Sequence, residues 1–205
     1  MTPRVHAAQE GTTLLAAAKA GDAATVGKLL ARGVKPDVRD AQGRTALLVA
    51  THESKIEVGR ALIAAGADVN AKDAIQDSPF LYAGAEGRLE ILKATLSAHA
   101  DLASTNRYGG TALIPACHHG HVETVRELLK TAINVDHVNN LGWTALLEAV
   151  ILGDGSARYR EIVDLLIAAH ANVNLADREG RRPLAHAKAR GFAEIVRALS
   201  AAGAH

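Results

Sequence analysis

Thr45-Ala-Leu47, with Ala50 three residues beyond its leucine, decides the fold because it returns. The same frame stands at Ser78-Pro-Phe80, Thr111-Ala-Leu113 and Thr144-Ala-Leu146, each 33 residues after the one before. Thr12-Thr-Leu14 lies one such period upstream, and Arg182-Pro-Leu184 lies 38 residues downstream, one period plus five. An alanine follows three positions after every one of these apolar residues: Ala17, Ala50, Ala83, Ala116, Ala149 and Ala187. Self-similarity at this period is the signature of a stacked repeat array.

The unit reads as turn, helix, tight turn, helix. Asp40-Ala-Gln-Gly43 is a turn cluster. Thr45 is placed to accept a backbone N–H of the first turn as N-cap. Proline follows the cap position in Ser78-Pro79 and Arg182-Pro183, where a helix tolerates it best. Gly21, Gly87, Gly120, Gly153 and Gly191 suit a left-handed stop for the first helix. Second helices are predicted over 56–63, 89–92, 122–129 and 161–167. They end at Gly33, Gly66 and Gly203, with His99 and His170 in that glycine's place. Histidine is among the residues enriched in the left-handed region.

Composition agrees. Of 205 residues 42 are alanine, 48% are hydrophobic and 3% are aromatic. A core of alanine and leucine requires closely approaching helices; a β-sandwich would want more β-branched and aromatic residues. The net charge of +1, from 23 basic and 22 acidic side chains, argues against a generic polyanion binder. One cysteine excludes an intramolecular disulfide and a Cys-pair zinc motif. No apolar run approaches the ~20 residues of a membrane span. Met1-Thr-Pro-Arg-Val-His-Ala-Ala8 lacks the apolar region of a secretory leader, so the cytoplasm is expected. Val5-His6-Ala7 has the look of a cleavage site, and a mature form would belong in the periplasm instead.

The period, Gly-x-Thr-Ala-Leu, Gly-His-Val-Glu at 120–123 and Ala-Gly-Ala-Asp-Val-Asn70 together resemble the ankyrin repeat family. The segments 106–115 and 140–149 are similar to those of small single-domain bacterial ankyrin proteins. The resemblance implies an all-α, ankyrin-repeat solenoid of stacked helix pairs with projecting hairpin loops. It covers about residues 7–205, and the chain is expected to form a single domain, 1–205. Terminal repeats fall at about 7–39 and 177–205, and internal repeats at about 40–72, 73–105, 106–138 and 139–176. Each unit buries its apolar faces only against its neighbours.

Two departures stand out. The histidine usual after Thr-Pro-Leu is replaced by Leu48, Leu81, Ile114, Leu147 and Ala185, so apolar packing takes the place of a buried polar contact. Repeat five carries an insertion, Gly153-Asp-Gly-Ser-Ala-Arg-Tyr-Arg160, expected to lengthen its helix–helix turn by five residues. Insertions of this kind map to loops on one face, often a functional one.

Catalytic and metal chemistry find little support. His118-His119-Gly-His121 beside Cys117 is the densest cluster. His121 holds the family's structural Gly-His position, however, and Cys117 a small buried one. His118 and His119 then point about 100° apart on a helix, and a third ligand is lacking. No metal and no cofactor are expected. Gly-x-Ser-x-Gly is absent, and Gly153-Asp-Gly155-Ser-Ala-Arg158 lacks a nucleotide loop's third glycine. Ser156 near Asp154 reads as a polar turn rather than a dyad. The arginines of 178–197 are diluted by Asp177, Glu179 and Glu194 and suit the polar face of a capping repeat.

The family's architecture lines a concave groove with finger tips and the inner helix's exposed edge. Carried onto this sequence, that register selects Asp77, Arg107, Tyr108, His118, His119, Asn140, Leu141, Trp143 and Ile151. Trp, Tyr and Arg are the residue types enriched at binding hot spots. The resulting expectation is a monomeric, non-catalytic protein-interaction module that holds a protein or peptide, with neither nucleic acid nor membrane as partner. Trp143 and Tyr108 would be its anchors. Two alternatives stay open: Trp143 packing against the neighbouring finger, and a small-ligand or metal-responsive regulatory protein using His118 and His119.

Overall fold

The structure, a computed structural model, describes residues 3–205, with side chains from residue 8 onward. The side chains of Val5-His6-Ala7 lie outside the described residues. The described chain is all-helical; the one strand-like pairing among the described residues is an isolated bridge between Arg39 and Thr45. The chain divides into two compact units: residues up to Ala83 with Arg88–Asp101, and Gly84–Gly87 with Leu102–His205.

The first unit holds α1 (Pro3–Ala20), α2 (Ala23–Ala31), α3 (Ala46–His52), α4 (Ile56–Ala64), the start of α5 (Pro79–Ala85) and α6 (Leu89–Ser97). Leu14, Ala18, Val26, Leu47, Ala50, Val58 and Leu62 meet in its core. Thr45 Oγ1 accepts the Leu48 amide at 3.2 Å, and Ser78 Oγ accepts that of Leu81 at 3.2 Å. Thr12 and Thr13 behave differently. Both lie inside α1 and donate back to the carbonyls of Ala8 and Gln9, the usual recourse of a mid-helix threonine.

The second unit holds α7 (Leu113–His118), α8 (Val122–Leu128), α9 (Ala145–Leu152), α10 (Ala157–Ala168), α11 (Pro183–Ala189) and α12 (Ala193–Ala201). Ala116, Ala149 and Ala187 are fully buried where these helices approach. Thr144 Oγ1 caps α9 through the Leu147 amide at 3.2 Å. Thr111 does not cap α7, and its buried hydroxyl has no partner. Pro115 is the reason. In the other internal repeats the residue at that position donates its amide to the cap carbonyl: Val49 to Thr45, Tyr82 to Ser78, Glu148 to Thr144, at 2.8–3.0 Å. Proline has no N–H to give, and α7 starts late, at Leu113.

Each finger tip is the same turn. Oδ1 of Asp40, Asp73, Asn106, Asn139 or Asp177 accepts the amides two and four residues on, at 2.8–3.1 Å. The same residue's own N–H returns to the carbonyl four residues on. Such side-chain-to-backbone closure fixes the tip without sheet.

The expected left-handed stops occur at Gly21, Gly87, Gly120 and Gly191, and at His99 and His170. Gly153 departs from that expectation: its φ of −67° and ψ of 166° are extended. Space, not dihedral freedom, demands glycine there, since a Cβ would stand 2.3 Å from the Ala149 carbonyl oxygen. The left-handed turn falls instead at Gly155, φ 75°, where the Phe192 ring occupies the place of a side chain. The insertion does not simply lengthen the turn either. Its second half winds into α10, which begins at Ala157 and runs for 12 residues.

Candidate protein-interaction face

Eight of the nine selected residues belong to the second unit; Asp77 belongs to the first, half-buried, with its amide on Asp73 Oδ1 at 2.9 Å. Two successive fingers carry most of the others. The Asn140 amide donates to the Tyr108 carbonyl at 2.9 Å, tying one tip to the next. Tyr108 is 55% exposed and Leu141 49% exposed. The Arg107 guanidinium lies over the Tyr108 ring, 4.8 Å from its centroid. Trp143 closes its finger: its amide donates to Asn139 Oδ1 at 3.0 Å, its carbonyl accepts the Asn139 amide, and its side chain is half-buried. Val138 and Leu152 are further exposed apolar side chains of this unit.

His118 and His119 end α7. Their rings stand 4.6 Å apart, and His119 Nδ1 meets the Ala85 carbonyl at 2.7 Å. The inserted segment reaches the first of them. Tyr159 donates its hydroxyl to the His118 carbonyl at 2.6 Å, and Arg190 donates to the carbonyls of Ile151 and Gly153 at 2.7 Å. Ile151, half-buried at the end of α9, is held by that arginine.

Glu148 escaped the sequence reading. It is the one ionisable residue of α9, and its side chain is 8% exposed. Asn139 Nδ2 donates to its Oε1 at 2.9 Å, and His118 Nδ1 stands 3.6 Å from its Oε2. Burial pushes the carboxyl up to about 7, against the opposing influence of the Asn139 hydrogen bond and His119. Burial, with His119 adding to it, lowers the His118 pKa. The Cys117 thiol is raised by burial and by Glu148, so it is no nucleophile. The signal was legible: one acid inside Leu-Leu-Glu-Ala-Val-Ile-Leu, where other repeats carry Val49, Tyr82 and Pro115.

A sequence profile described as Ankyrin repeats (3 copies) matches residues 2–73 and 80–159, and one described as Ankyrin repeat matches 141–178. The chain belongs to the ankyrin repeat family. The ankyrin repeat domain ABAYE2397 of Acinetobacter baumannii AYE is 57% identical, with a TM-score of 0.92 over 94% of this chain and 98% of that one. The ankyrin repeat protein EF0377 is 42% identical, TM-score 0.89, over 91% and 96%. The ankyrin repeat domain of Bcl-3, a member of the IkappaB protein family, is 30% identical, TM-score 0.84, over 94% and 86%. A curated relative, the putative ankyrin repeat protein YahD of Escherichia coli K12, is 46% identical over 57 residues; the match spans 28% of each chain.

Ankyrin repeats generally mediate protein–protein interactions and are typically non-enzymatic. Among the described residues no three His, Cys, Asp or Glu side chains converge as metal ligands, and no helix is long and apolar enough to cross a membrane. Asp154 Oδ1 takes the Ser156 amide at 2.9 Å, the geometry of a turn. The ankyrin capping repeat also uses its arginines internally: Arg178 on the Asn140 carbonyl, Arg182 on that of His205, and Arg197 paired with Glu194.

Proposed function

We propose that the protein is a non-catalytic, monomeric binding module that holds a protein or peptide segment against the fingers of its second unit. Tyr108 and Trp143 are the aromatic anchors, Leu141 and Ile151 widen the apolar surface, and Arg107, Asn140, His118 and His119 supply the polar selectivity. The observation that carries this reading is the pairing of an exposed aromatic with an exposed aliphatic on adjacent tips. Tyr108 and Leu141 sit on turns closed by side chain and backbone and joined by the Asn140–Tyr108 hydrogen bond. A chain this poor in aromatics leaves one in water, and rigid tips lose little entropy on binding.

Affinity capture from the source cells, run in parallel with wild type and Trp143→Ala, tests the reading. A partner retained by wild type and lost from the variant is expected. Identical retention by both would end it.

A further inference from the structure

The inner helices place one residue, four after the cap, beside the end of the preceding inner helix or its own finger. In the first unit this residue is Tyr82, stacked on His52 with centroids 3.8 Å apart and planes within 9°. In the last repeat it is His186, whose Nε2 sits 2.6 Å from Asp177 Oδ2. The His186–Asp177 contact is a closed hydrogen bond. Two periods after His52 and Tyr82, the equivalent pair is His118 and Glu148, and it is incomplete. Asn139 fills Oε1, while Oε2 faces His118 Nδ1 at 3.6 Å, outside hydrogen-bond reach. A carboxylate withdrawn from water is costly unless its lone pairs are filled. His118, which stands beside that oxygen, is 41% exposed and is itself one of the residues of the proposed face.

We propose that Glu148, with His118 beside it, is the specificity determinant of this face and accepts a lysine or arginine side chain from the bound segment. The inference rests on the binding reading above. A cation at Oε2 completes the carboxylate's coordination with a charge-assisted hydrogen bond. The other groups around Glu148 leave that role open. Cys117, His118 and His119 come from α7; none carries a fixed positive charge. Tyr159 of α10 is committed to the His118 carbonyl, and His186 and Arg190 of α11 to Asp177 and to the carbonyls of Ile151 and Gly153. A carboxyl that titrates at about 7 is charged in roughly a tenth of molecules at pH 6 and nine tenths at pH 8. A basic side chain would therefore bind about tenfold tighter at the higher pH.

The test is selection of random dodecapeptides displayed on phage against wild type, Glu148→Gln and Trp143→Ala at pH 8. Glu148→Gln keeps an oxygen for Asn139 and so keeps the fold. Wild type should enrich peptides with lysine or arginine at one fixed position, and Glu148→Gln should lose that bias. The best such peptide should bind wild type about tenfold tighter at pH 8 than at pH 6, with most of that rise gone in Glu148→Gln. A pool without basic bias, or with the same bias in Glu148→Gln, overturns the inference. If that pool still depends on Trp143, the interaction face stands and only the role of Glu148 falls. If Trp143→Ala leaves the pool unchanged, the face falls with it.

Discussion

Tyr159 donates its hydroxyl to the backbone carbonyl of His118 at 2.6 Å, so the residue insertion in repeat five reaches back to fix the end of the preceding inner helix. Tyr159 is buried at this contact, with the Arg158 guanidinium 5.2 Å from its ring centroid. Tyr159→Phe removes the hydrogen bond and little else. Urea unfolding should show a loss of ~1 kcal/mol, and the His118 ring resonances should shift while those of His52 stay. An unchanged His118 spectrum would deny the insertion its positioning role.

The stacked-helix fold was legible because the period repeats a cap, an apolar pair and a small residue, and each has one physical use. Thr45, Ser78 and Thr144 cap as their chemistry demands. Three features were not legible from the period. The frame at Thr12 falls inside a continuous helix. The insertion turns at Gly155 rather than Gly153, because Phe192, 37 residues beyond, fills the space above it. For Glu148 the odd acid was legible but its burial was not: its environment is made by Asn139 and His118 from two other elements, and one-dimensional spacing does not report burial.

Repeat four carries a removable defect. Pro115 withholds the amide that Val49 supplies in repeat two, and Thr111 keeps a buried hydroxyl without a partner. Pro115→Ala should restore a helical hydrogen bond and let Thr111 act as a cap. Those gains outweigh the ~0.4–1 kcal/mol of chain entropy that proline removes from the unfolded state. A net stabilisation of ~1 kcal/mol is expected from denaturant midpoints. A destabilised variant would mean that the ring's packing matters more than the missing bond.

The stability of the protein should also carry the mark of Glu148. Its carboxyl is raised to about 7 in the fold and returns to ~4.3 in the unfolded chain. The fold therefore prefers the protonated acid. The contribution is fully present below about pH 4.3 and is lost as pH rises through 7. Relative to Glu148→Gln, wild type should lose up to ~3 kcal/mol between pH 4 and pH 8. Chemical denaturation of both proteins across that range measures it, and a constant difference would show that the carboxyl is not burdened by burial.

Ala116 is fully buried where α7 packs on α9. Ala116→Leu must find room for three carbons and should cost ~1–3 kcal/mol. The Glu90 side chain is partly exposed, pairing with Arg60 at 2.9 Å and Lys93 at 3.1 Å. Surface pairs of that kind contribute little, so Glu90→Gln should cost less than ~1 kcal/mol. Equal thermal shifts for the two variants would mean that the alanine column does not set the helix spacing.

Trp143 separates the binding reading from a packing one. Its backbone closes the finger through Asn139, which any residue would do, whereas its side chain is only half-buried. A fully buried aromatic costs ~3–5 kcal/mol on truncation; half that burial predicts ~1–2 kcal/mol for Trp143→Ala. A hot-spot anchor would lose ~2 kcal/mol or more of partner affinity, measured under conditions where the variant stays folded. Tyr108→Ala should weaken the same partner with almost no loss of stability, since its ring is more than half in water. Arg197→Ala, at an exposed position of the capping helix α12, is the control and should change neither quantity by more than ~0.5 kcal/mol. If Trp143→Ala instead destabilises by the full 3–5 kcal/mol and Tyr108→Ala binds as wild type does, the tryptophan is a packing residue. The fingers of the second unit are then not the place where the partner is held.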